Sequence, residues 1–191
     1  MPMTLTYTPT VHNVLAVFGA ATADNLREGL SWYLDAHNFA TILSPGDIAK
    51  SAGIIAALSP MMGWEPNKVQ ASKVFSRNGD ASGLGLAKNC AKAAAIYNGA
   101  EPLSVLGGNK VRAFYETILD PFGFSIPVID RHAFDIAVGN VTDDKARSTL
   151  SRKGEYERFG AVYIDAAHVA GVSAPQMQAI TWVAWRAMKK A

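Results

Sequence analysis

The sequence predicts an all-α fold, and three observations carry that prediction. Apolar residues recur at helical spacing in segment after segment, no stretch alternates apolar and polar residues as a half-buried strand does, and Pro, Asn-Gly and Gly-Gly punctuate the chain between segments. The 191 residues suit one compact domain or two small lobes sharing a core. Apolar side chains make up 49% and charged ones 18%, below the usual ~25%, which excludes a disordered chain. No run of about 18 uninterrupted apolar residues is present, so no membrane span is expected. The opening MPMTLTYTPT lacks the basic start and apolar core of a signal peptide, and the protein is expected to stay in the cytoplasm. The lone Cys90 excludes an internal disulfide framework and any four-cysteine metal or iron–sulfur site.

Taken in order, the first expected helix runs from about Ala23 to Asn38, with Leu26, Leu30, Tyr33 and Leu34 on one face after a Thr22 or Asp24 cap. Ser44 is placed to cap the next helix, with Pro45 at its first position and Asp47 in its first turn. Its apolar face is Ile48, Ala52, Ile55 and Ala56, and Pro60 ends it. A third follows Pro66, with Val69, Ala71, Val74 and Phe75, and gives way to a turn at 76–80. Helix resumes near Leu86 and stops at Asn98-Gly99, as a C-terminal Gly should. A short helix from Pro102 to Leu106, a Gly107-Gly108 turn and a longer helix to about Leu119 come next. Pro121 and Pro127 bracket a loop that delivers Asp130. Helices from His132 to Val138, Tyr156 to Val169 and Ala174 to Met188 complete the pattern, the last with Met177, Ile180, Val183 and Ala184 in period and Trp182 and Trp185 as core anchors. Asp143-Asp144 and the charges from Lys145 to Arg158 read as a solvated loop.

The segment from Leu103 to His132 carries the chemistry. Helix, glycine turn, helix is a helix–hairpin–helix, and its turn exposes backbone amides at the second helix's start, an anion site suited to a phosphodiester. Asn109 and Lys110 lie in that first turn and Arg112 two residues on. The bland alternative is that Gly-Gly is only a connection. Net charge is small, 18 Lys and Arg against 16 Asp and Glu, so nucleic-acid contact must come from placement rather than bulk charge. His12, His37 and His168 are scattered without metal-ligand spacing, and no metal or other cofactor is expected.

Leu106-Gly107-Gly108-Asn109-Lys110-Val111, followed twenty residues after Lys110 by Asp130 within Pro127-Val128-Ile129-Asp130-Arg131-His132, resembles the helix–hairpin–helix, Gly/Pro-Asp DNA glycosylases, the superfamily of endonuclease III and oxoguanine glycosylase. That family has a hairpin of the type L-P-G-V-G-x-K and then P-V-D-x-H. Upstream, 57–62 occupies the place of the family's L-L-S-x-Q segment, and Gly83-Leu84 with Ala87-Lys88-Asn89 resembles its G-L-x-x-x-K-A helix start. The resemblance covers about residues 25–186, most clearly 46–138.

The resemblance implies two helical lobes, 46–131 with the hairpin and 1–45 plus 132–191, with a cleft between them. It also implies a nucleoid-associated enzyme that excises a modified or damaged base from double-stranded DNA, without an iron–sulfur cluster. Asp130 would be the catalytic carboxylate, stabilising an oxocarbenium-like sugar and positioning a water; it would equally serve as the N-cap of the next helix. Lys110 would be a Schiff-base amine giving strand cleavage, or a phosphate contact. The hairpin here is shorter than the family's, and read without a gap it puts Arg112 at the lysine position, where no neutral amine is available. Ser59, Met61, Met62 and Trp64 lie where the family has its wedge and pocket wall, with Met able to insert between base steps and Trp to stack on an extruded base, or both to pack in the core. Gly107, Gly108, Asn109, Arg112, Lys88 and His132 complete the DNA-contact set, His132 with internal packing as its alternative. Two rival readings remain: an enzyme of this fold that modifies thymine side chains, and a DNA-binding module in which Asp130 only caps a helix.

Overall fold

The computed structural model describes residues 7–123 and 127–189. Phe124, Ser125 and Ile126 of the expected loop, and residues 1–6, on which the expectation about the N-terminal segment rests, lie outside them. Among the described residues there are eleven α-helices, one 3-10 turn and no strand, so the protein is all-α. No helix among them is long and apolar enough to cross a membrane.

Helix α1 (Val11–Gly19), which the apolar spacing did not announce, starts where the Thr10 side chain accepts from Asn13 N at 3.2 Å. Helix α2 (Ala23–Leu43) is longer than expected. Thr22 and Asn25 cap it reciprocally, each side chain accepting the other's backbone N–H at 3.2 and 3.1 Å. Ser44 does not cap the next helix: its N–H still bonds Ala40 O, closing α2. Gly46, at φ +88°, turns the chain, and Asp47 caps α3 (Ile48–Leu58) by accepting from Lys50 N at 3.1 Å. Helix α4 (Trp64–Ser76) begins before Pro66, which sits in the first turn where a missing N–H is harmless. Helices α5 (Ala87–Tyr97), α6 (Pro102–Val105), α7 (Asn109–Leu119) and α8 (Arg131–Val138) follow the expected boundaries closely.

The charged stretch after Asp143 is not a loop. Asp143 caps α9 (Asp144–Arg147), a 3-10 turn covers Ser148–Ser151, and α10 (Glu155–Ala170) precedes α11 (Ala174–Met188). The reason is a buried partner: Asp135, fully buried on α8, accepts from Arg147 Nη2 at 2.9 Å and from Thr142 N and Oγ1 at 3.1 and 2.6 Å. A buried carboxylate must be paired and hydrogen-bonded, and that demand orders a segment whose composition reads as solvent-facing.

Two compact units make up the chain: Leu34–Pro121, and the residues up to Tyr33 together with those from Phe122 on. The boundaries differ from the expected 46 and 131 for local reasons. Residues 34–43 of α2 are tied to α3, Ser51 Oγ donating to Ala40 O at 2.6 Å. The Pro127–Asp130 segment is tied to α10: the Tyr156 hydroxyl accepts from Ile129 N at 2.9 Å and donates to Pro127 O at 3.2 Å.

In the 34–121 unit α3 is the central helix, buried from Ser51 to Leu58 and packed against α4, α5, α6 and α7. Ile54, Ile55 and Leu58 are 0–1% exposed, and each such side chain contributes about 1.5–3 kcal/mol. In the other unit α1, α8, α10 and α11 pack together around Phe134, Phe159 and Tyr163, with the Phe134 and Phe159 rings stacked 4.6 Å apart.

Candidate functional site

The hairpin forms within the 34–121 unit. Helix α6 ends at Val105, and Gly108 stands at φ 82°, ψ 136°, backbone that only glycine enters without strain. Helix α7 then starts with no side-chain cap on its first amides. Arg112 braces the turn: its Nε donates to Leu106 O at 3.0 Å and its Nη2 to Leu103 O at 2.9 Å. The guanidinium therefore closes the C-terminal carbonyls of α6 and holds the loop's shape. Gly107, Asn109 and Lys110 are exposed, and Asn109 and Lys110 lie in the first turn of α7.

Beside the hairpin is a groove of about 270 Å³, lined by Met61, Lys88, Asn89, Lys92, Gly107 and Val111 among others. It brings together three residues nominated from the sequence, Met61, Lys88 and Gly107. Met61 is 93% exposed at φ 65°, a conformation rarely adopted by a residue with a side chain. The other nominees of that segment face inward or are engaged. Ser59 Oγ donates to Ala56 O at 2.9 Å and closes α3. The half-buried Met62 brings its Cε to 3.5 Å from where a Cβ of Gly85 would sit. Trp64 belongs to an aromatic cluster, edge-on to Phe39 (6.0 Å) and Phe114 (6.5 Å), with Lys68 Nζ 5.6 Å from its ring centre.

Asp130 and His132 lie in the other unit. Asp130 is the N-cap of α8, its Oδ1 accepting from His132 N at 2.9 Å and Ala133 N at 2.8 Å. Its Oδ2 accepts from Trp182 Nε1 at 3.2 Å. A carboxylate has about four acceptor directions; three are taken, and the side chain is half-buried with one remaining. Aromatic groups surround it. Burial holds the Tyr33 and Tyr163 phenols well above their ordinary range, and the Asp130 charge adds to both. Both stay neutral donors, Tyr33 to Gln178 Oε1 at 2.6 Å and Tyr163 to Ala133 O at 3.0 Å. Trp182 packs edge-on to Trp32 at 5.9 Å, and the Arg186 guanidinium lies 4.2 Å from its ring centre.

His132 is half-buried, and its Nδ1 is buried without a partner. Burial lowers its pKa, with Arg131, Lys189 and Arg186 acting the same way and Asp130 opposing.

Three residues at these places were not nominated from the sequence. Lys92 was findable, because it follows Lys88 by four residues and shares its helix face. Asn89 and Trp182 had no such signal: a single Asn in a helix start is ordinary, and Trp182 meets Asp130 across 52 residues of chain. No group of His, Cys, Asp and Glu among the described residues could hold a metal ion.

Neither the curated proteins nor the solved structures contain a match to this chain. Residues 2–189 match DUF7178, described as a family of unknown function, and with nearly its whole length covered the chain belongs to that family.

Proposed function

We propose that this protein acts on double-stranded DNA carrying a modified or damaged base and cleaves the N-glycosidic bond, with Asp130 as the catalytic carboxylate. The observation that carries this reading is the state of that side chain. Two backbone amides and an indole N–H fix its orientation, while Oδ2 keeps one further acceptor direction and the residue is only half-buried. Preorganised charge of this kind stabilises a cation that develops beside it. As the C1′–N bond breaks, its electron pair leaves with the base and C1′ takes on oxocarbenium character. A water oxygen then bonds to C1′, its proton passes to the open Oδ2 position, and the departing base takes up a proton from solvent.

The hairpin supplies the complementary role of holding backbone phosphate through the first amides of α7. A Schiff-base lysine needs burial or a cationic neighbour to activate it. Lys110 is exposed, which supports a phosphate contact in preference to the lyase role. Met61, apolar and displayed at the rim of the groove, suits a wedge between base steps.

One observation favours the second reading, a DNA-binding module without catalysis: Oδ1 of Asp130 is wholly used in capping α8. The two part in a single assay. Duplexes bearing uracil, oxoguanine, hydroxymethyluracil or an abasic site are incubated with wild-type and Asp130→Asn protein. Asn caps a helix as well as Asp does, so the variant should fold and bind DNA. Base release by wild type that falls at least 100-fold in the variant is the expected result. Duplex binding without any base release would leave the binding module standing.

A further inference from the structure

We infer that the groove beside the hairpin is a binding site for a nucleoside monophosphate group, recognised by its phosphate and seated against an apolar wall. Two unpaired cations face it. Lys88 and Lys92 stand one turn apart on α5, and among the described residues neither enters an ion pair. Lys92 Nζ lies over the turn, 3.5 Å from the position a Gly107 Cβ would occupy. Like charges at this spacing repel, and an anion between them removes the repulsion.

The first turns of α5 and α7 also contribute to the lining, through Leu86, Lys88 and Asn89 and through Val111. Leu86 precedes α5 and Gly108 precedes α7, and neither provides a side-chain cap; Asn89 N bonds Leu86 O at 2.8 Å, which leaves the Ala87 and Lys88 amides of α5 and the first amides of α7 without a side-chain acceptor. Between them lies an independent sign of a missing acceptor. Asn89, 5% exposed and part of the groove lining, has its Nδ2 buried without a hydrogen-bond partner. Buried amides are nearly always satisfied, and an unsatisfied donor in a pocket marks a ligand's place.

The rest of the lining is apolar, with Met61, Leu86, Leu106 and Val111 as its larger members. A bare phosphate would leave that wall unused. A volume of about 270 Å³ lies just below the usual range of ligand pockets, about 300–1,000 Å³, and limits the occupant to one sugar and base beyond the phosphate. Such a group comes from a free nucleotide or from the phosphorylated end of a DNA strand.

The site shares the α7 amides and Met61 with the duplex contact proposed above but does not depend on Asp130, so base release can fail while nucleotide binding holds. The test is titration of ¹⁵N-labelled protein with thymidine 5′-monophosphate, thymidine, inorganic phosphate, and an oligothymidylate with and without a 5′-phosphate. The monophosphate should move the backbone signals of Lys88, Asn89, Lys92 and Gly107, and thymidine should not. Lys88→Gln combined with Lys92→Gln should weaken that binding at least tenfold in a protein whose other signals are unchanged. Tighter binding of the 5′-phosphorylated strand than of the free nucleotide would identify a strand end as the source, and the reverse a free nucleotide. Unmoved signals, or inorganic phosphate binding as tightly as the monophosphate, would overturn the inference.

Discussion

Asp130 and Asp135 sit five residues apart and are held in contrasting ways. Asp135 is fully buried, and Arg147, Thr142 and, at 3.7 Å, Lys189 enclose it as a structural anchor. Asp130 is half-buried with an acceptor direction to spare, the state that the proposed reaction requires. His132, between them, makes the residue-scale prediction. Its folded pKa lies below the ordinary 6.5, chiefly because burial disfavours the charged ring. As pH falls, the unfolded chain takes up the proton first, so stability is present above about pH 6.5 and lost as pH drops toward the folded value. Urea unfolding at about pH 7.5 and about pH 5.5 should show a larger loss for wild type than for His132→Gln. Equal losses would mean that the ring is not linked to folding.

At the scale of elements, the α6–α7 hairpin was legible because glycine pairs punctuate strongly. Its bracing was not. Arg112 read as a DNA contact, yet two of its donors close the carbonyls of α6. Sequence spacing shows which residues a turn brings near, but it does not show whether a side chain points to solvent or back to the chain. The two glycines should separate sharply on substitution. Gly108→Ala forces a Cβ into φ 82°, ψ 136° and should destabilise the protein by about 1–3 kcal/mol, read by thermal melting. It should also weaken duplex binding, read by fluorescence anisotropy, because the α7 amides shift with the turn. Gly107→Ala meets only the end of Lys92 at 3.5 Å and should be close to neutral in stability. Similar effects from both would show that the backbone at Gly108 is not the constraint.

At the scale of the whole molecule, the packing of the unit from Phe122 on depends on a close helix approach that composition does not advertise. A Cβ on Gly29 would lie 2.4 Å from Ile180 Cα, a backbone atom that cannot move aside. Gly29→Ala should therefore destabilise by about 1–3 kcal/mol or more through overpacking, although Ala is the better helix former. Gly19→Ala, with nothing within 4 Å of the added methyl, should be neutral or stabilising. A melting temperature unchanged by Gly29→Ala would rule out the α2–α11 contact as drawn.

Sequence alone determined the helical class, most helix starts and stops, the glycine hairpin and the helix start at Asp130. These are local matters, settled by apolar period, caps and the conformational range of glycine and proline within a few residues. Only the tertiary structure decided that α1 and α9 are helices, that Arg147 answers a buried Asp135, that Trp182 holds Asp130, and that Lys92 and Asn89 share a groove with Gly107. Each of those depends on which distant side chain meets a buried polar group, and burial is a property of the packed chain rather than of any segment in it.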